Sequence, residues 1–202
     1  MIRDLTRIWH DRRMWRHAAT LGQLGELTAR WLEGTLAHHP GYGGGPSPET
    51  TPLIPLLAAA NRSGLVTISS QPGNPPCAGY DGALWAQRPA LEAVADFEVA
   101  ERVCQAAGAA GLHVDAAPAD ADRATRRAQR ITVTTRAGAP YTEFGPVPWR
   151  VLRDLFADAP AAAVLRSCWQ LTLVDLDWHE GDLLWRTLAD TLGLATAAKP
   201  TA

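Results

Sequence analysis

Between Tyr42 and Arg88 the chain gathers side chains able to hold a polar ligand. Tyr42 leads into Gly43, Gly44, Gly45 and Pro46, and Glu49, Asn61, Ser69, Ser70, Gln71, Asp81, Trp85, Gln87 and Arg88 follow. Serine hydroxyls donate and accept, Gln71 offers two donors and an acceptor, and Arg88 presents a planar fork suited to a carboxylate or phosphate. Trp85 precedes Gln87 and Arg88 closely enough to offer a face on which a planar ligand stacks. Ser70, Gln71 and Arg88 are therefore expected to orient a polar, anionic group, with Asp81 or Asp177 as the acid–base candidate. The plainer use of the same residues is structural: Ser-Gln-Pro-Gly makes a good turn, and an arginine often ends in a surface ion pair. The triple glycine lacks the Gly-Lys-Ser/Thr ending of a phosphate loop and follows no strand, so it reads as a lid or a tight crossing.

Three further groups carry chemistry. Cys77 sits in a Pro/Gly-rich stretch near Asp81 and would act as a nucleophile only beside a base such as His113 or His179. His113 and Asp115 share one face of a short strand, the spacing of a general base and its orienter. Asp175, Asp177 and His179, with Glu180 beside them, form the strongest acidic cluster. Such a set can bind a divalent cation or move protons, but acidic residues also collect where a helix begins. Helix capping is the commoner use, so no metal ligands are assigned, and no cofactor is specified.

These groups need a scaffold. Apolar residues recur at helical spacing over the first forty positions, and Thr20 with Gln23 forms a capping box that splits the region near residue 19, with Gly34 as its C-terminal stop. Residues 38–48 are too dense in glycine and proline for regular structure. A helix is expected over 49–60, a strand over 65–70 bounded by Gly64 and Pro72, and a loop over 71–83. Residues 84–88 and 91–95 read as one strand interrupted by Pro89, or as two. Helices over 97–110, 120–129, 149–156 and 182–192 alternate with strands over 112–115, 131–135 and 168–177. This order predicts an α/β or α+β domain: a central mixed sheet of about five strands with packed helices, preceded by N-terminal helices. The organisation expected is a helical segment over 1–40, a layered domain over 41–194 and a flexible tail over 195–202, one structural domain in all.

Composition narrows the function classes. The 202 residues are 47% hydrophobic and 20% charged with a net charge of −2, ordinary values for a globular chain and against a nucleic-acid or anionic-membrane binder. Neither a signal peptide nor a membrane span is evident, and three cysteines support neither a disulfide framework nor a zinc site, which points to the cytoplasm. Of 19 basic residues all but Lys199 are arginine, and alanine is abundant, the habit of a GC-rich genome.

The run Leu24–Gly34, the segments Gly41-Tyr42-Gly43-Gly44-Gly45-Pro46, Glu49-Thr50 and Asn61-Arg62-Ser63-Gly64, and Ser69-Ser70-Gln71-Pro72-Gly73 resemble a family of uncharacterised actinobacterial proteins. The resemblance is strong over the first half of the chain and weak over the second. It implies a shared fold and site region and carries no substrate. The function expected is a small-molecule enzyme, or enzyme-like binder, of accessory or specialised metabolism. The alternative is a non-catalytic module docking a protein partner, or a second copy, through Trp9, Trp15 and Trp31 of the N-terminal helices.

Overall fold

A computed structural model describes residues 2–156 and 160–194. The expected tail over 195–202 lies outside the described residues. The chain opens with α1 (Ile2–His17) and α2 (Leu21–Leu32), separated where the capping box places the break. Thr20 Oγ1 accepts from the Gln23 amide at 3.1 Å, and Gln23 Oε1 accepts from the Ala19 amide at 2.7 Å. Gly34 ends α2 at φ +75°, with its amide on the Trp31 carbonyl and that of Thr35 on Arg30, the double bond that closes a helix on a left-handed residue.

A 3₁₀ turn (Pro48–Leu53) runs into α3 (Ile54–Arg62), and the strands and remaining helices follow: β1 (Val66–Gln71), β2 (Asn74–Ala78), β3 (Leu84–Gln87), β4 (Ala90–Ala95), α4 (Phe97–Ala109), β5 (His113–Pro118), α5 (Arg123–Ala128), β6 (Ile131–Arg136), β7 (Ala139–Phe144), α6 (Trp149–Leu155), α7 (Ala161–Leu165), β8 (Trp169–Val174) and α8 (Leu183–Thr191). The mixed α/β class expected from the alternation holds. The sheet itself is corrected: there are two four-stranded sheets rather than one mixed sheet of five, with orders β1-β4-β8-β5 and β2-β3-β6-β7 and every pairing antiparallel. Pro89 is the reason that 84–95 becomes two strands. Lacking an N–H, it cannot continue a ladder, and the chain crosses there from the second sheet to the first. After the crossing, β4 pairs back onto β1.

The first sheet carries the main core. Leu91, Ala93 and Ala95 on β4 alternate with Leu171 and Leu173 on β8, all essentially buried with α2, α3, α4 and α8. The opposite face is different. Ala90 and Val174 meet Val133 and Phe144 of the second sheet in a small separate core. The adjacent row pairs Ser69, Glu92, Thr172 and Asp115 straight across the four strands, a polar stripe inside the molecule.

Candidate functional site

The Gly43–Ser47 segment leaves a cleft of about 370 Å³ along β1, the outer strand of the first sheet. Thr28, Trp31 and Leu32 from α2 form one wall. Tyr42, the three glycines, Pro46, Ser47 and Thr50 form the other, and Thr67 to Ser70 form the floor. Its volume lies in the range of small-molecule sites. Two bonds fix the loop: the Tyr42 hydroxyl donates to the Ile68 carbonyl, and Trp31 Nε1 donates to the Gly44 carbonyl at 3.0 Å.

Behind that wall lies a cluster of rings. Tyr42 stacks on Trp31 with centroids 5.1 Å apart and planes 11° apart, and both surround His39, as do Trp15 and Phe156. His39 is 2% exposed. Burial pushes its imidazole down to about 3, helped slightly by neighbouring His38, so it is neutral. Its Nδ1 accepts from the Gly41 amide at 3.1 Å, which sets the turn into the glycine loop.

The glycines have no packing reason to be glycine. A Cβ built on Gly43, Gly44 or Gly45 meets nothing within 4 Å, and none of the three has positive φ. At Gly25, by contrast, a Cβ would stand 2.2 Å from the Asn61 carbonyl oxygen, so that glycine serves the crossing of α2 and α3. What Gly43 to Gly45 leave is open room at the cleft wall.

One titratable group reaches the cleft from inside. The Ser69 hydroxyl stands beside both the Tyr42 phenol and the Glu92 carboxyl and favours the ionised form of each. Glu92 is buried in the polar stripe, where Oε1 also accepts from the Gly145 amide at 2.8 Å. Burial raises its pKa above the usual carboxylate range, and the Gly145 bond and the Ser69 hydroxyl offset part of that rise. Tyr42 is likewise raised by burial. The arrangement puts the Ser69 hydroxyl between a buried acid and the cleft that Ser69 lines.

The residues singled out from sequence fall into four places. Tyr42, Ser69 and Ser70 line the cleft. Gln71, Gln87 and Arg88, expected to orient a ligand together with Ser70, lie where the two sheets meet and do not line the cleft with it. Gln71 Nε2 donates to the Arg88 carbonyl at 2.9 Å and the Val133 carbonyl at 3.0 Å, while its Oε1 accepts from Thr134. Arg88 Nε donates to the Leu176 carbonyl at 2.8 Å, Nη1 donates to the Thr132 carbonyl at 2.9 Å, and its guanidinium lies 4.2 Å over the Trp178 ring. Gln87 Nε2 bonds to the Pro72 carbonyl at 2.8 Å and reaches exposed Glu49 at 3.4 Å. A side chain on the inner face at a strand end serves the neighbouring sheet first, because unpaired carbonyls there demand donors.

Asn61 is fully buried. Its Nδ2 donates to the Leu57 carbonyl and to Thr67 Oγ1, both at 2.8 Å, and its Oδ1 accepts from the Thr67 amide at 3.0 Å. It reaches the cleft only by placing Thr67. Cys77, Asp81 and Trp85 belong to the outer part of the second sheet. Asp81 accepts from Trp85 Nε1 at 2.9 Å, the Ala83 amide at 3.1 Å and Arg136 at 2.6 Å. The indole bond leads in holding its carboxyl down to about 2, and a carboxylate so firmly ionised is a poor proton acceptor near neutrality. Cys77 is exposed on β2 with Asn74 Nδ2 at 3.2 Å from its sulfur, and no imidazole bonds to it among the described residues. Asp177 stands after β8 beside His179.

Sequence reasoning missed Thr28, Trp31, Thr67, His39 and Glu92. Glu92 had a readable signal, as the single charge in the apolar strand Ala90–Ala95. Trp31 was read as helix packing, which it also performs. Trp15 and Trp31 are 0% and 6% exposed, so of the tryptophans expected to dock a partner only Trp9, at 64%, faces outward. No helix among the described residues is long and apolar enough to cross a membrane.

The match to known families spans both sheets. A family model described as Domain of unknown function (DUF6919) covers residues 10–195. The chain belongs to that family. No curated protein matches it. The DUF6919 match runs from within α1 through α8.

Proposed function

We propose that this DUF6919 protein is an enzyme-like receptor for a small, uncharged, polar molecule bound in the cleft along β1. The observation that carries the reading is the row Gly43 to Gly45, whose missing side chains serve neither backbone conformation nor packing and open room beside hydroxyls and aromatic rings. With Arg88 turned into the sheet junction, the cleft lining holds no arginine or lysine, which favours an uncharged ligand over the anion expected from sequence. Thr50, Ser69 and Ser70 supply hydroxyls for its polar groups, the Tyr42 and Thr28 hydroxyls, whose protons go to the Ile68 and Leu24 carbonyls, can add acceptors, and Trp31 supplies apolar surface. Where the bound molecule reacts, Glu92 acting through Ser69 is the proton source. The same proposal places the protein in the cytoplasm of an actinobacterium, in accessory or specialised metabolism; the excess of arginine over lysine and the free cysteines support it.

The test uses Gly44→Leu, whose Cβ meets nothing within 4 Å and whose side chain adds bulk to a residue that lines the cleft. Thermal-shift and ligand-observed NMR screening of neutral sugars and nucleosides, beside their phosphorylated counterparts, should find stabilisation of wild type by uncharged members that Gly44→Leu abolishes while keeping its own melting temperature. Stabilisation by phosphorylated members alone, or binding unchanged in Gly44→Leu, would overturn the proposal.

A further inference from the structure

We infer that Asp175, Asp177 and His179 form a binding site for a divalent transition-metal ion, separate from the cleft. The residues occupy alternate positions of Asp-Leu-Asp-Trp-His as the chain leaves β8, and a ligand atom from each lies within 4.8 Å of the other two. His179 Nε2 stands 3.6 Å from Asp175 Oδ2 and 3.8 Å from Asp177 Oδ2. Nitrogen and oxygen donors about 2.1 Å from one ion stand roughly 3.0–3.4 Å apart, so these two spacings need to close by only a few tenths of an ångström.

Asp175 supplies the second observation. It is only 6% exposed, yet its Oδ2 has no hydrogen-bond partner among the described residues. A carboxylate oxygen without a bond in the interior carries the full cost of desolvation. The other oxygen is engaged, since Oδ1 accepts from the Asp177 amide at 3.2 Å. That bond turns Oδ2 toward the imidazole, where a cation bridging Asp175, Asp177 and His179 would satisfy it.

The intervening residues are held from outside the cluster. Arg88 grips both, bonding to the Leu176 carbonyl and covering the Trp178 ring. A Cβ on Gly181 would stand 1.9 Å from His179 Cε1, and one on Gly73 would stand 1.8 Å from the His179 carbonyl oxygen. The imidazole thus packs against one glycine and its backbone against another. The charge of Arg88 faces Asp177 and opposes a cation, against two carboxylates that attract it. An imidazole with two carboxylates favours zinc or manganese over magnesium or calcium, which prefer all-oxygen sets. Asp177 is 84% exposed and His179 44%, so water completes the coordination.

The test titrates the whole chain, dialysed against chelator, with Zn²⁺ and Mn²⁺ by calorimetry. Asp177→Asn and His179→Ala serve as variants because both side chains reach solvent, and circular dichroism checks their folding. Wild type should take up a single equivalent of at least one metal, with affinity at least about tenfold weaker in each variant. His10, His17, His38 and His113 remain in both variants, so unchanged affinity would move the metal to another histidine and overturn the site. Failure of wild type to bind either ion at about 1 mM would overturn it equally.

Discussion

Two stretches of β1, one residue apart, behave in opposite ways. Ser69 and Ser70 line an open cleft, while Gln71 has both ends of its amide committed to the second sheet. All three are polar, and all three lie on an outer strand. What separates them is whether nearby backbone leaves carbonyls wanting donors. At Gln71 the crossing through Arg88 and Pro89 does, and the amide is taken. Along Ser69 and Ser70 the neighbour is a row of glycines, and room remains for a molecule that is not part of the chain.

The sharpest way to break this contrast is Gln71→Ala. It strips the side-chain donor from the Arg88 carbonyl and the acceptor from the Thr134 hydroxyl, while the Val133 carbonyl keeps the Arg88 amide, and should cost about 1–3 kcal/mol in urea denaturation, a cost typical of buried groups left unpaired. A loss below roughly 0.5 kcal/mol would show that the junction does not depend on the amide. His39, behind the cleft wall, comes next. Its folded pKa of about 3 lies below the ordinary value of 6.5, so the unfolded chain binds the extra proton between those values. The resulting stability is complete above pH 6.5 and falls as pH drops toward 3, by up to about 1.4 kcal/mol per pH unit. His39→Phe should flatten that acid limb in denaturation curves collected across the window. An unchanged slope would move its source elsewhere.

Glu92 works in the other direction. Burial raises its folded pKa, so its contribution is greatest below the ordinary carboxylate pKa of 4.5 and is lost as pH rises through the folded value. Glu92→Gln keeps the acceptor for Gly145 and should gain stability relative to wild type as pH goes from 4 to 8, read by urea denaturation at the two pH values. The smallest effect belongs to Ser70→Ala, within about 0.5 kcal/mol of wild type in stability. Its consequence should appear in cleft binding. A large stability loss there would make Ser70 as structural as Gln71.

The same contrast explains what was readable in the chain. The break at Thr20 and the stop at Gly34 were legible because caps are local chemistry. Strand β2 was not, because Asn74-Pro75-Pro76-Cys77-Ala78 is exposed and proline-rich, a composition tolerated only on an edge. Strand β7 escaped for a related reason. Its hairpin turns at Ala137 and Gly138, both at positive φ, and alanine in place of the usual asparagine or aspartate removes the turn signature. For the site, sequence identified Tyr42, Ser69 and Ser70 with the glycines around them. It could not tell that Gln71 and Arg88 were already engaged, since their partners Val133, Thr132 and Leu176 lie 44 to 88 residues away.

The register at the crossing carries one more consequence. Gln71, the last residue of β1, pairs with Ala90, the first residue of β4. Everything from 72 to 89, including two strands of the second sheet, is thus an enlarged hairpin loop between adjacent strands. The segment from α5 through β7 is a second detour, made between β5 and its neighbour β8. Half of the sheet architecture is ornament threaded through two turns of the other half. Insertions and deletions within those detours can remodel the outer sheet while the ladder beneath the cleft keeps its alignment.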